Sequence, residues 1–273
     1  CRHNCVSSRA VGRRAKRCLR GLIWPCSEGV ADGPSFLFAM NGFTLAFSEA
    51  LALLIGFDHR VAEIVLLSLQ VSGLAVCLGT LVGLPLGACL GVGRFPGRQV
   101  LVVILNGCMG LPSVVVGVVV YLALSRSGPL GELGLLYSPS AMVIAQTLLV
   151  VPLMAAIARQ TVEDAWREYE EELTAMRFRW FDSVRVLLHD CRHSLMVAVL
   201  AGLGRAMSEV GAVMIVGGNI DRSTRTMTTA IALETSKGDL PLAVALGLVL
   251  LAVILLLNGL AYGLRLWAMR RYA

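Results

Sequence analysis

Two charges of opposite sign stand inside an apolar run. Arg205 and Glu209 lie four residues apart, with Ser208 between them, in the stretch from Met196 to Gly211. On a continuous helix this spacing puts both side chains on one face. A charge at the centre of a bilayer costs roughly 2.5–3.5 kcal/mol on insertion scales, so such residues face a bundle interior or an aqueous path. One reading is a structural ion pair. The other is a polar path formed by Arg205, Ser208, Glu209 and Gly211, in which the arginine could meet an anion. Residue types alone leave both open.

His189 and His193 share a helix face at i, i+4 and invite a zinc reading. Helical zinc hydrolases place a glutamate directly after the first histidine as general base. Here that residue is Asp190, one methylene shorter, and the pair falls at the end of an apolar span. An intramembrane zinc hydrolase is therefore the weaker alternative, and no metal site is assigned. A phosphate-binding loop requires glycines followed by Lys-Ser or Lys-Thr. The chain has only Lys16 and Lys237, and neither lies in such a setting. Any ATP-driven work is delegated to another chain.

Upstream of the Arg205–Glu209 run, a charge-dense segment separates two apolar spans. Glu168, Glu170, Glu171 and Glu172 precede Arg177, Arg179 and Arg185, an order that suits a helix dipole. Between the charges stand Met176, Phe178, Trp180 and Phe181. Aromatic knobs of this kind fit a groove on a partner protein; the alternative is a solvated amphipathic connector. Residues 159–194 form the expected docking loop, with Glu170, Glu171, Ala175, Met176, Arg177, Phe178, Trp180 and Phe181 as its contact residues.

The elements that position these residues follow from composition. The chain has 273 residues, 56% hydrophobic and only 15% charged, with mean hydropathy +0.74. Soluble domains carry about 25% charged residues, so an all-α integral membrane protein is expected. The periodicity places about five spans: Val61–Val92, Val100–Leu124, Ala141–Ala158, Leu195–Val216 and Leu240–Leu264, each near the roughly 20 residues a bilayer requires. Gly79, Gly83, Gly87 and Gly91 recur every fourth residue, a ridge that lets another helix approach closely. Pro85 sits within that ridge and is expected to kink it. Pro112 interrupts the second span, and Gly202 belongs to a small-residue ridge with Ala198 and Ala206 on the fourth.

Residues 1–39 hold seven basic against two acidic side chains, so most of the net charge of +6 belongs there and does not argue for nucleic acid. They lack the 7–15-residue apolar core of a signal peptide. We expect a disordered or non-native basic extension, with Met40 as the biological start. Residues 40–60 read as a short interfacial amphipathic helix, and 61–273 as the transmembrane domain. The eight cysteines show no CxxC spacing, which leaves buried apolar thiols as the simplest reading. Basic turns at Arg94/Arg98, the charge-dense segment and the arginine-rich C-terminus alternate as cytoplasmic faces. The loops 125–140 and 217–239 are then external.

Three stretches carry a family likeness: Gly110–Gly117 with the loop Ser125–Gly131, then Gly204–Ile220, then Arg225–Asp239. In these the chain from Met40 onward resembles the permease subunits of bacterial ABC importers for oxyanions, most closely the tungstate permeases, whose relatives carry molybdate and sulfate. That family's cytoplasmic motif, E-A-A-x-x-x-G followed by I-x-L-P, falls on Glu171-Glu172-Leu173 with Arg177 at the glycine, then on Leu187 to Asp190 with Asp190 at the proline. The resemblance implies a type I importer permease fold and a coupling helix in the 159–194 loop. It also implies a homodimer with a second permease copy, two ATP-binding cassette subunits that carry ATP and Mg, and an extracytoplasmic oxyanion-binding protein. The chain itself would bind no cofactor, would not be an enzyme, and would reside among the lipids of the bacterial cytoplasmic membrane. Tungstate is the expected substrate, with molybdate or sulfate as the alternative.

Overall fold

The computed structural model describes Ser48 and residues 59–272, with side chains from 61 to 263. The proposed extension and the interfacial helix at 40–60 lie outside the described residues, apart from Ser48 and residues 59 and 60, which open α1. Among those described, every regular element is helical: α1 His59–Val92, α2 Arg98–Met109, α3 Ser113–Leu124, α4 Pro139–Ala175, α5 Trp180–Asp190, α6 Arg192–Met207, α7 Gly211–Gly217, α8 Met227–Lys237 and α9 Leu240–Tyr272. Three segments are long and apolar enough to cross a membrane: Val61–Val92, Pro139–Ala175 and Leu240–Gly263. The number reaches five if α2 with α3 and α5 with α6, bent by 99° and 76°, each count as one crossing.

α4 is the mast of the bundle. Its start is set by Ser138, whose Oγ accepts the Ala141 amide, and by Pro139 in the first turn, where a missing N–H costs nothing. Its 37 residues make a rod about 55 Å long at 1.5 Å per residue. The hydrocarbon core is about 30 Å thick, so α4 is longer than a bilayer crossing needs, and its charged part beyond Ala158, with Glu163, is the half expected on the cytoplasmic face.

Packing on α4 is organised by side-chain size. Gly79, Gly83, Gly87 and Gly91 all face it from α1. A Cβ at Gly87 would run into the Ala155 carbonyl oxygen and the Ala158 methyl, so only glycine lets the two backbones meet there. Pro85 lies within α1, and the helix continues through it to Val92. From α6, Gly202 leaves room for the Met154 side chain. Below this seam, Ala88, Val92, Ala158, Val162, Leu173, Val184, Leu187 and Leu195 form one buried cluster that joins α1, α4, α5 and α6. Burial of this kind, at about 25 cal/mol per Å² relative to water, holds that end of the bundle together.

Three elements differ from the expectations. The fourth span is not one helix: α6 stops at Met207, residues 208–210 are non-helical, and α7 runs from Gly211 to Gly217. The polar 217–239 loop contains α8, capped by reciprocal bonds between Thr226 and Thr229. The charged segment is not a free-standing helix either, because α4 carries it without interruption to Ala175.

Candidate functional site

The break between α6 and α7 gathers the buried polar groups of the bundle. Ser208 terminates α6 and is exposed, its Oγ donating to the Arg205 carbonyl at 3.1 Å. Glu209 sits past the helix end, so the i, i+4 geometry expected for Arg205 and Glu209 does not hold as an intrahelical pair. Their side chains still approach, Arg205 Nη2 lying 3.7 Å from Glu209 Oε2. Glu209 is almost wholly enclosed at 4% side-chain exposure, whereas Arg205 is 38% exposed. Glu209 Oε1 accepts the Ala212 amide at 3.3 Å, which satisfies one of the orphan donors at the start of α7. Gly211 opens α7 because a Cβ there would press on Ser113 Oγ and Val114 Cγ2 at the start of α3.

Around this break lie groups that the search for charges passed over. Gln146 of α4 is buried, its Nε2 donating to the Ala206 carbonyl at 3.1 Å, while its Oε1 has no partner. Thr228 Oγ1 donates to the Glu209 carbonyl at 2.9 Å. Ser68 Oγ accepts the Met227 amide at 2.8 Å and donates to the Ile64 carbonyl at 2.7 Å. Ser68, Ser72, Gln146, Thr226 and Thr228 bound a cavity of about 10 Å³, the size of a single water. Ser68 and Ser72, four apart on an apolar helix, were the available signal.

The small cavity is lined by an amide and several hydroxyls from α1, α4 and the start of α8; the Glu209 carbonyl joins them through Thr228, while its carboxylate turns to Ala212 and Arg205. Buried polar groups must be hydrogen-bonded or they cost free energy, and these bonds tie α1, α4, α6 and α8 together beside the break.

The second expected surface is the elbow between α4 and α5. Glu171, Ala175, Met176, Arg177, Phe178, Trp180 and Phe181 are all exposed. Phe181 is 74% and Met176 68% exposed, and the Trp180 and Phe181 rings meet edge to face at 5.0 Å. Glu170 points elsewhere, paired with Arg94 at 2.7 Å across the α1–α2 turn. Arg177 has φ +55°, the left-handed region. Its amide donates to the Thr174 carbonyl, and the Phe178 amide to the Leu173 carbonyl, the two bonds of a Schellman cap. Glycine is the usual residue at that position; here arginine makes the same turn at a conformational cost of about 1 kcal/mol.

A charged cluster around Glu163 was not foreseen at all. Glu163 receives Arg98, Arg159 and Arg167 at 2.8, 2.5 and 3.1 Å. Burial alone would raise the Glu163 pKa. The hydrogen bond and charge of Arg98, the charge of Arg159 and the hydrogen bond from Arg167 outweigh it, and the carboxyl stays below its usual range. His189 lies against Arg192, whose Nη1 is 3.1 Å from His189 Nε2. Among the described residues no three His, Cys, Asp or Glu side chains gather around a common point.

No family model matches the chain. Over 219 residues it is 41% identical to the tungstate uptake system permease protein TupB of Peptoclostridium acidaminophilum, covering 80% of this chain and 96% of that protein. It is 41% identical over 205 residues to a probable anion ABC transporter permease protein of Haloferax volcanii, covering 73% and 88%. With the TupB of Campylobacter jejuni the identity is 34% over 219 residues, covering 80% and 92%.

Proposed function

The chain belongs to the family of ABC-transporter permeases for anion uptake that includes the tungstate permeases, and from that membership we propose that it is the pore subunit of a tungstate importer. It is a multi-pass protein of the cytoplasmic membrane and a transport subunit, not an enzyme. The observation that carries the tungstate reading is where the resemblance falls. Gly204–Ile220 and Arg225–Asp239, which most resemble the tungstate permeases, fold against each other beside the α6–α7 break, through Thr228 Oγ1 to the Glu209 carbonyl and through Asn219 Nδ2 to the Thr229 carbonyl.

In this reading two copies of the chain enclose the path, an extracytoplasmic binding protein delivers the oxyanion, and two ATPase subunits supply the work. ATP and Mg reside on those subunits. The exposed Met176, Phe178, Trp180 and Phe181 dock into a groove of the ATPase, with Glu171, Ala175 and Arg177 at its rim and Glu170 bracing the elbow against Arg94. α4 then acts as the lever. From Ala175 to Gln146 it is a single rod about 44 Å long, and Gln146 is bonded to the Ala206 carbonyl beside the break. Closure of the ATPases swings the elbow and shifts Gln146 against α6. That separates Arg205, Ser208, Glu209 and Gly211 from their closed arrangement and opens the path by rigid-body rocking.

The test is uptake by a strain that lacks its own oxyanion importers and expresses this chain with its ATPase and binding protein. ATP-dependent accumulation of tungstate, with molybdate and sulfate as poorer competitors, is expected. Preference for molybdate or sulfate would overturn the substrate, and uptake without the ATPase would overturn the pore-subunit reading. In the same system Phe178→Ala with Trp180→Ala lowers ATPase co-purification about tenfold, ~1.4 kcal/mol from two aromatic anchors. Unchanged co-purification and transport would remove the docking role.

A further inference from the structure

A cavity of about 370 Å³ lies between the first turns of α1 and the turn that precedes α8, bounded by Glu63, Leu67 and Gln70 on one side and by Asp221, Arg222 and Arg225 on the other. We infer that it is a binding site for a free tetrahedral oxyanion, with Arg222 and Arg225 as its cationic ligands. The inference rests on the importer reading and concerns a place that reading does not use.

Arg225 donates Nη1 to Asp221 Oδ1 at 2.9 Å, but its Nε is buried and has no acceptor. A guanidinium carries five N–H donors in a planar fork that matches the edge of an oxyanion; Arg225 lines the cavity, and its terminal N–H groups beyond the one bonded to Asp221, not the enclosed Nε, are the donors it offers there. Arg222 is exposed and has φ +59°, a backbone conformation that L residues other than Asn, Asp and His rarely adopt. No hydrogen bond or ion pair of its side chain exists among the described residues. A strained backbone that presents a long cation at a cavity mouth, with no internal partner, is the pattern of a ligand-facing residue. Gln70 adds an amide donor from α1.

Two carboxylates share the cavity, and they set its strength. Asp221 already occupies part of Arg225, so an incoming anion must displace it, and Glu63 opposes anion entry. The result is a weak site. Weakness is what a transit site requires, because an ion that enters must also leave. The position fits. With the Arg94/Arg98 turn on the cytosolic side, the start of α1 and the 221–225 turn are external. Ser68 lies between Leu67 and Gln70 on α1 and Thr226 follows Arg225, and both also bound the small cavity beside the break. The arginine cavity is therefore an outer station and the α6–α7 break the inner one.

The experiment uses the full chain in lipid nanodiscs without binding protein or ATPase, with sodium tungstate as probe. Retained metal is counted after equilibrium dialysis, and the melting temperature of each variant is recorded. Saturable tungstate binding is expected, weakened about tenfold by Arg222→Ala or Arg225→Ala, since each removes a charge-assisted donor pair. Asp221→Asn is expected to tighten it severalfold by removing the competing carboxylate. Absence of binding, or affinity that ignores all three substitutions, overturns the site; if Arg225→Ala does not fold, Arg222→Ala and Asp221→Asn decide alone. Arginine-dependent binding of sulfate or molybdate with none of tungstate upholds the site and refutes the tungstate assignment. Tungstate-selective uptake without arginine-dependent binding does the reverse.

Discussion

Glu163 and Glu209 are both glutamates held against arginine on the same bundle, yet their surroundings are opposite. Glu163 is ringed by three guanidiniums within 3.1 Å, one from α2 and two from its own helix. Among the described residues Glu209 has one arginine, at 3.7 Å, beyond normal hydrogen-bond length, and one other side-chain bond, to the Ala212 amide across the break. The first arrangement fastens α2 to α4 through Arg98, with Arg159 and Arg167 holding the carboxylate in place from its own helix. The second spans a discontinuity with one loose contact. A clasp resists rearrangement and a loose pair permits it, so the Glu163 cluster is read as frame and the Arg205–Glu209 pair as the part that moves.

The largest effect is expected at the clasp. Glu163→Ala leaves Arg98 and Arg159, both mostly covered, facing each other with no counter-charge. Removing a charged acceptor from partners that remain costs about 2 kcal/mol after allowing for solvent around the exposed Arg167. The purified chain should melt several degrees lower and accumulate poorly, with transport falling in proportion to the protein that remains. A variant with full thermal stability would show that the cluster holds nothing together.

Glu209→Gln comes next and separates the two regions. The amide keeps the shape and an acceptor for the Ala212 amide but abandons Arg205. Insertion and melting temperature should be near those of the parent, while uptake per molecule falls about tenfold, ~1.4 kcal/mol of barrier. Normal uptake would reduce the pair to scaffolding and erase the contrast with Glu163.

How much of this could be read from the chain depends on whether its cause is local. The four-residue glycine ridge was visible because close helix packing demands small side chains at that period, and the bend between α2 and α3 was visible because Pro112 marks it. The α6–α7 break was not visible. Ser208–Gly211 contains no proline, and the apolar residues resume directly after Glu209; the interruption combines a local bond, Glu209 taking the Ala212 amide, with a distant one, Gly211 seated on Ser113. α8 was hidden by polarity, although Thr226 and Thr229 at capping spacing and Gly238 at its end were there to be weighed. The elbow was misjudged in extent. A coupling helix was expected within the 159–194 loop, but α4 carries the acidic half of that loop to Ala175 and the left-handed Arg177 turns the chain into α5, at the position where the resembling family has glycine. Among the site groups, Arg205 and Glu209 stood out by charge. Ser68, Ser72 and Gln146 did not, because single uncharged polar residues in apolar helices are common and only their convergence gives them meaning.

The smallest effect sharpens the same contrast through pH. The Glu163 carboxyl is held below its usual range because Arg98, Arg159 and Arg167 overcome the opposing effect of burial. A group whose pKa is lower folded than unfolded binds more protons when unfolded, so it adds stability above its unfolded value, near 4.3, and that contribution disappears as pH falls through the folded value. Between pH 7 and 5 the parent chain should therefore keep a constant contribution from the clasp and lose it only in more acid solution. Glu163→Gln, which cannot ionise, starts less stable at neutral pH and should show a shallower acid decline, the two melting curves converging at low pH. Parallel profiles for the two chains would mean that the three arginines do not favour the ionised carboxylate. The clasp would then owe its hold to the apolar cluster of Ala88, Val162 and Leu187, and the distinction between fastened and movable glutamates would have to be drawn from packing instead of charge.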